Sequence, residues 1–284
     1  MNILVTGASG QLGKEIQHQS KQSSHTFFFE NSKELDITIQ EKVNSYIKDN
    51  KIDFIINCAA YTAVDKAEEE LEKANLVNAE GVENLVLAIG GNKGKMIHIS
   101  TDYVFDGNAN VPLKETDTTD PINAYGISKR LGENYFLESN VPGIILRTSW
   151  LYSSFGNNFV KTMMRLGKEK SKLQVVSDQI GSPTYARDLA NVCLQLVESD
   201  FSDKQRVYHY SNSGVTSWFE FAKEIMTIAN LDCEVLPIKS DDYKTLAKRP
   251  FYSVMDTTRI KEDFNLNIPF WKDSLRECIN NCQN

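Results

Sequence analysis

Tyr125 and Lys129 stand four residues apart in the string Tyr-Gly-Ile-Ser-Lys. On a helix that spacing puts a phenol and an ammonium on one face. An ammonium about 4 Å from a phenol, at an effective dielectric near 20, favours the phenolate by roughly 4 kcal/mol. That is about three units below the ordinary value near 10. A phenol so tuned suits general acid–base work on a carbonyl oxygen at neutral pH. With 11 tyrosines and 31 lysines and arginines in the chain, about one Tyr-x-x-x-(Lys/Arg) pair arises by chance, so context must decide. Upstream, the apolar run Lys95–Ser100 closes in Ser100-Thr101-Asp102. A hydroxyl at the carboxyl end of a strand can bond both a substrate carbonyl and the Tyr125 hydroxyl. The same residues can also simply cap a turn.

A second pattern supplies a partner for that chemistry. Ile3, Leu4 and Val5 form a short apolar run that leads into Gly7, Gly10 and Gly13, and Leu12 and Ile16 follow at helical spacing. Strand, tight turn and helix in that order make a phosphate site, because a helix start offers unpaired N–H groups and a positive dipole end. Gly7 and Gly10 let a pyrophosphate approach the backbone, and Gly13 lets helix and strand pack closely. A ligand-free glycine turn is the bland alternative. The two patterns together predict carbonyl reduction. A dihydronicotinamide gives hydride to the carbon, Tyr125 gives a proton to the oxygen, and Thr101 orients that oxygen. Lys129 holds the nicotinamide ribose as well.

The elements that must position these groups alternate along the chain. Thr26–Phe29, Asp53–Asn57, Lys95–Ser100 and Gly143–Arg147 read as further strands, with Leu173–Val176 as a sixth. Thr38–Lys48, Lys66–Ile89, Asn123–Glu138 and a stretch from about Tyr185 to Val197 read as helices, the second stopped by Gly90 and Gly91. Repeated βα units predict an α/β fold, a doubly wound parallel sheet of Rossmann type, with ligands at the strands' carboxyl ends. After Arg147 the pattern breaks into the helices Asn158–Leu166, Ser217–Ala229 and Phe270–Asn280, with loops that hold Pro183, Pro237, Pro250 and Pro269. Residues 1–148, with about 171–212 returning to them, are expected to form the dinucleotide-binding domain. About 149–170 and 213–284 are expected to form a smaller C-terminal substrate lobe.

Bulk properties narrow the classes. The chain has 284 residues, 31 Lys and Arg against 38 Asp and Glu, and a net charge of −7. An acidic surface argues against nucleic acid as the main partner. No apolar run reaches the roughly 18 residues that cross a bilayer, and no leader is expected ahead of a strand that starts at residue 2. Five scattered cysteines, Cys58, Cys193, Cys233, Cys278 and Cys282, without a Cys-x-x-Cys pair, fit a reduced, cytoplasmic protein.

The wider first gap in Gly-x-x-Gly-x-x-Gly is similar to that of short-chain dehydrogenase/reductases and their extended relatives. Longer strings are more specific. Asn57-Cys58-Ala59-Ala60-Tyr61-Thr62-Ala63-Val64-Asp65-Lys66-Ala67-Glu68 and Ser100-Thr101-Asp102-Tyr103-Val104-Phe105-Asp106-Gly107 resemble the dTDP-4-dehydrorhamnose reductase family. So do Arg147-Thr148-Ser149-Trp150, Asp178-Gln179-Ile180-Gly181-Ser182-Pro183-Thr184 and Arg249-Pro250. The likeness runs from Met1 to about Trp271. It implies reduction of the 4-keto group of dTDP-4-dehydro-β-L-rhamnose to dTDP-L-rhamnose, with Tyr125 as proton donor, Lys129 beside it and Thr101 tuning the transfer. It places Gly10, Gln11 and Leu12 at the pyrophosphate, Glu30, Asp36 and Ile37 near the adenosine half, and Ala59, Ala60 and Tyr61 after the third strand. Thr101, Asp102 and Trp150 match substrate contacts.

Some positions stay double-edged. Trp150 can be core, and Asp65-Lys66-Ala67-Glu68 can be a helix cap. Arg249 can be a surface cation, although Lys248-Arg249-Pro250 is a rigid basic spot suited to the nucleotide diphosphate. Glu30 would accept bonds from both ribose hydroxyls and so favour NADH, whereas Lys33 would attract the 2′-phosphate of NADPH. The reading leans to NADPH, with NADH also accepted. Some family members dimerise through a carboxylate-bound metal. Glu15 matches one such ligand, but Arg187 stands where another would be, so no metal and a monomer or weak homodimer are expected. Two other readings fit the same fold: a sugar-nucleotide epimerase or dehydratase that keeps its dinucleotide, and a non-catalytic subunit resembling the regulatory subunit of methionine adenosyltransferase.

Overall fold

The computed structural model describes residues 1–201 and 206–283. Strands β1 (Asn2–Thr6), β2 (Thr26–Glu30), β3 (Phe54–Asn57), β4 (Lys95–Thr101) and β5 (Gly143–Thr148) alternate with helices. The helices are α1 (Gln11–Gln19), α2 (Gln40–Asp49), α3 (Val64–Ala67), α4 (Leu71–Asn75), α5 (Gly81–Gly91) and α6 (Ala124–Glu138). Beyond them come β6 (Leu151–Tyr152), α7 (Phe159–Glu169), β7 (Lys172–Val176), β8 (Ile180–Gly181), β9 (Thr184–Tyr185) and α8 (Ala186–Val197). The chain ends with β10 (Val207–His209), β11 (Thr216–Ser217), α9 (Trp218–Ala229), β12 (Glu234–Ile238), α10 (Thr258–Phe264) and α11 (Trp271–Gln283).

Six strands form one sheet in the order β2-β1-β3-β4-β5-β10, and each neighbouring pair is parallel. Both faces are covered. Ile3 and Val5 point into a cluster with Leu12, Ile16, Leu189 and Ile260, while Leu4 and Ile55 point the other way, against Val43, Leu85 and Phe136. Alternation along each strand feeds both layers, so the central strands must be apolar throughout, as Ile3-Leu4-Val5 is. The strand order reverses between β1 and β3, and that switch point opens a crevice at the carboxyl ends. A further core around Phe221, Tyr152, Tyr185, Val160 and Leu275 joins α7, α9 and α11 into the lobe above it.

Three expectations change in detail. Leu173–Val176 does not extend the central sheet. As β7 it pairs with β12 in a parallel ribbon of the lobe, and β10 takes the sheet edge beside β5 instead. Ile260, Phe264 and Ile268 pack in the core beneath the sheet rather than with the lobe, so the chain crosses between the two bodies more often than expected. Residues 202–205 and 284, which fall within the expected domain ranges, lie outside the described residues. Finally, the stretch Lys66–Ile89 is not one helix. It is α3, a break, α4, a π-helical turn over Leu76–Glu80, and α5. Among the described residues no helix is long and apolar enough to cross a membrane.

Candidate active site

The turn after β1 is shaped by contact with β3. Gly7 has φ +64°, and a Cβ there would lie 2.7 Å from the Ala59 backbone nitrogen. A side chain is therefore excluded twice, by conformation and by space. Gly10 N–H donates to the Gly7 carbonyl at 2.9 Å, closing the turn so that α1 starts at Gln11. The turn forms one end of a cavity of about 820 Å³, in the upper part of the range for ligand sites. Gly7, Gly10, Gln11, Leu12, Asp36, Ile37, Ala59, Ala60 and Tyr61 line it, together with Thr101, Asp102, Tyr125, Lys129, Trp150 and Arg249. Glu30 does not. Its carboxylate accepts a hydrogen bond from the Tyr46 hydroxyl at 2.5 Å, off the cavity. The bare glycine turn and the α1 N-terminus fit a dinucleotide pyrophosphate, since Gly10 caps the helix with no side chain bonded to its free N–H groups.

The Asn123 side chain starts α6, accepting from Gly126 N–H at 2.8 Å. Its amide also donates to the Lys248 carbonyl, tying the helix start to the segment that carries Arg249. A Cβ at Gly126 would sit 2.2 Å from the Tyr103 carbonyl, so only glycine lets α6 come this close to the end of β4. The buried Asn78, in the π-helical turn, braces the other side. It bonds the Tyr61 backbone at both N–H and carbonyl, and donates to the Ser128 hydroxyl at 2.9 Å. The break in the long helix thus puts a polar side chain where a regular helix would pack, as π-turns at functional sites do.

Tyr125 and Lys129 share the cavity, but the ammonium is not bonded to the phenol. Lys129 Nζ donates to the Ile99 carbonyl at 2.7 Å and faces His98 Nε2 at 3.5 Å. Burial raises the proton affinity of Tyr125, with the Asp102 and Tyr103 charges adding to it and the neighbouring Thr101 hydroxyl opposing it. The expected lowering of the phenol toward neutrality is therefore corrected. The sequence shows spacing, whereas burial of the phenol decides the sign. Lys129 itself is brought down to about 8, chiefly by burial, against the pull of Glu133 and Cys58. A phenol that keeps its proton is equipped to donate it.

At the outer end Thr101 donates to Asp102 Oδ1 at 3.0 Å, while Asp102 Oδ2 is buried with the Ser253 hydroxyl as its polar neighbour, the pair short of a well-formed hydrogen bond. Burial pushes Asp102 up to about 6. Arg249 reaches the same wall, donating to Asp65 Oδ2 at 2.7 Å and to the Tyr103 hydroxyl at 3.1 Å. Asp65, for which a helix cap is one of two readings of the sequence, is thus the anchor of Arg249. Trp150 follows β5 with φ +47°, unusual for an indole-bearing residue, and rests on Trp218.

Several lining or bracing residues were not identified from sequence: Asn78, Trp218 and Asn158. Trp218 opens α9 far along the chain, where its only signal was an aromatic next to a helix cap. Asn158 caps α7 and donates to Gln11 Oε1 at 2.9 Å, a lobe residue against the start of α1. Glu15 is buried, accepts from Ser153 at 2.6 Å, and is raised by burial against the pull of Arg187. Arg187 in turn pairs with Glu277 at 2.7 Å.

The family model described as "RmlD substrate binding domain" matches residues 1–284. The spore coat polysaccharide biosynthesis protein SpsK of Bacillus subtilis is 42% identical over 277 residues, covering 98% of this chain and 96% of that protein. A dTDP-4-dehydrorhamnose reductase structure from Clostridium acetobutylicum is 42% identical and superposes with TM-score 0.96 over 100% of both chains. A dTDP-4-dehydrorhamnose reductase from Bacillus anthracis, in complex with NADP, is 41% identical with TM-score 0.94 over 98% of each chain. The match runs from the first residue to the last and so takes in sheet and lobe alike: the chain belongs to the RmlD substrate binding domain family.

Proposed function

We propose that the chain catalyses NADPH-dependent reduction of the 4-keto group of dTDP-4-dehydro-β-L-rhamnose, giving dTDP-L-rhamnose. The observation that carries the reading is the shared cavity: the glycine turn at one end, and Thr101, Tyr125 and Lys129 at the other. Full-length relatives named dTDP-4-dehydrorhamnose reductase support it, and so does a relative in complex with NADP. Gly7, Gly10, Gln11 and Leu12 would hold the pyrophosphate, Asp36 and Ile37 the adenosine half, and Ala59, Ala60, Tyr61 and Lys129 the remainder. When bound, the reduced dinucleotide supplies the hydride. Tyr125 delivers a proton to the carbonyl oxygen, Thr101 orients that oxygen, and the Lys129 ammonium steadies the phenolate left behind. Asp102, Trp150 and Arg249 hold the sugar nucleotide. Glu30, engaged by Tyr46, is turned from the crevice, which favours NADPH over a ribose-binding carboxylate's preference for NADH. Ser153 and Arg187 around Glu15 support a chain that works without a carboxylate-bound metal, as a monomer or weak homodimer.

The test is an assay with a dTDP-4-dehydro-6-deoxy sugar, its 3,5-epimerase and NADPH, following the dihydronicotinamide absorbance. Signal is expected to fall, and Tyr125→Phe to slow it about 10²- to 10⁴-fold with dinucleotide binding retained. No consumption with either NADPH or NADH overturns the reading.

A further inference from the structure

Four buried polar side chains form a line beneath the cavity. Thr6, Asn57, His98 and Lys129 are each at most 1% exposed, and they come from β1, β3, β4 and α6 in spatial order. The Thr6 hydroxyl donates to Asn57 Oδ1 at 2.6 Å. Asn57 Nδ2 meets His98 Nδ1 at 3.0 Å. His98 Nε2 faces Lys129 Nζ at 3.5 Å.

The protons in this line are determined by its one unambiguous donor. The Ala59 backbone N–H lies 3.2 Å from Asn57 Oδ1 and can only donate, so the amide oxygen must be the atom it meets. Asn57 Nδ2 is then the atom against His98, and His98 Nδ1 must accept. A neutral imidazole has one donor and one acceptor. Burial, reinforced by the Lys129 charge, holds His98 well below its usual range and so keeps it neutral. Its single proton is on Nε2, the nitrogen that looks at Lys129. Toward an ammonium, that N–H is a donor facing a donor. Toward a neutral amine, it donates to the lone pair.

We propose that His98, locked by Asn57, is a positioning residue that sets its Nε2–H against Lys129 Nζ, donor to donor, and so governs how far up the pH scale turnover persists. The inference rests on the reading of Tyr125 and Lys129 as the proton-handling pair. The other groups around Lys129 do not supply this effect. Glu133, on its own helix, favours the ammonium but is occupied by Arg147 at 2.7 Å and Arg130 at 3.4 Å. Cys58, after β3, is a thiol held well above its usual range by burial. The Ile99 carbonyl accepts from Nζ in either protonation state. Burial brings Lys129 down to about 8, and the facing N–H sets a donor against the ammonium that remains.

Two measurements on the full chain test the proposal. The first is ¹⁵N NMR of the imidazoles in the unaltered protein. His98 is expected to show a protonated Nε2 and an unprotonated Nδ1, and the reverse tautomer overturns the proposal. The second is His98→Gln, which can set a carbonyl where the N–H stood. The alkaline limb of kcat/KM should move up by about one pH unit, the scale of one hydrogen bond to a charge. A ¹³Cε titration of Lys129, assigned by its loss in Lys129→Arg, should move with it. If His98→Gln binds dinucleotide normally but neither limb nor titration moves, the proposal falls. If instead Tyr125→Phe keeps full turnover, the proposed site falls, and the NMR titration still decides the role of His98 separately.

Discussion

The indole of Trp150 lies flat on that of Trp218, with ring centroids 3.6 Å apart and planes 9° apart. One ring follows β5 of the sheet and the other opens α9 of the lobe, so the stack joins the two bodies at the cavity wall. Trp150 holds a left-handed backbone conformation that an L-residue adopts only when its surroundings enforce it. Gly181 leaves the room, since a Cβ there would come within 2.6 Å of the ring. Trp218→Ala should release Trp150. An aromatic pair is worth about 0.5–1.5 kcal/mol beyond its buried area. The expected result is a roughly 2- to 10-fold higher KM for the sugar nucleotide with unchanged dinucleotide affinity. Equal loss for both ligands would mean that the lobe itself has shifted.

Arg249 is held at the cavity by Asp65 and Tyr103 rather than free in solvent. Because Asp65 is 41% exposed, loss of its partner should cost little stability. Arg249→Ala should raise KM for the sugar nucleotide about 10- to 100-fold, the worth of charge-assisted bonds to a diphosphate, and leave KM for NADPH nearly unchanged. Steady-state kinetics with each substrate varied in turn decides it.

Asp102 binds its proton more tightly folded than unfolded, because burial pushes its carboxyl up to about 6 from 3.8. Between those values the native state carries more protons, so stability falls as pH rises through the window, and the cost is complete above pH 6. Two units correspond to about 3 kcal/mol at most. Asp102→Asn should therefore raise Tm at pH 8 and leave it close to the parent near pH 3. A variant that loses stability at pH 8 would show that Thr101 and Ser253 satisfy the carboxylate better than its burial indicates.

Lys129 runs the other way. Its ammonium is disfavoured in the fold, down to about 8 from 10.5. Below pH 8 both states are charged and the fold bears the full cost. From pH 8 to 10.5 the unfolded chain holds more protons, so stability rises with pH. Lys129→Met should be more stable than the parent by about 3 kcal/mol at most near pH 7, with the gap closing above pH 8. Urea unfolding at pH 7 and pH 10 measures both ends.

Much of the fold was legible because its signals are local. An apolar strand, a glycine turn and an amphipathic start lie within sixteen residues, and the turn's chemistry is set by the absence of side chains at Gly7 and Gly10. Asn123 announces α6, and helical periodicity puts Tyr125 and Lys129 on one face whatever surrounds them. The pairing of β7 with β12 was not legible, because an apolar run of that length fits a sheet or a two-stranded ribbon equally well. Nor was the π-helical turn, which gains its reason only from what Asn78 meets across the gap, Tyr61 and Ser128.

The sequence by itself determined that a phenol, an amine and a hydroxyl would sit at the carboxyl ends of a parallel sheet beside a glycine turn. The tertiary structure alone decided their protonation and their company. Proton affinity depends on how much water a group loses and which charges share its cavity, and those neighbours arrive from distant parts of the chain. Hence the phenol of Tyr125 rises instead of falling, Lys129 turns to Ile99 and His98, and Trp218 comes to lie against Trp150.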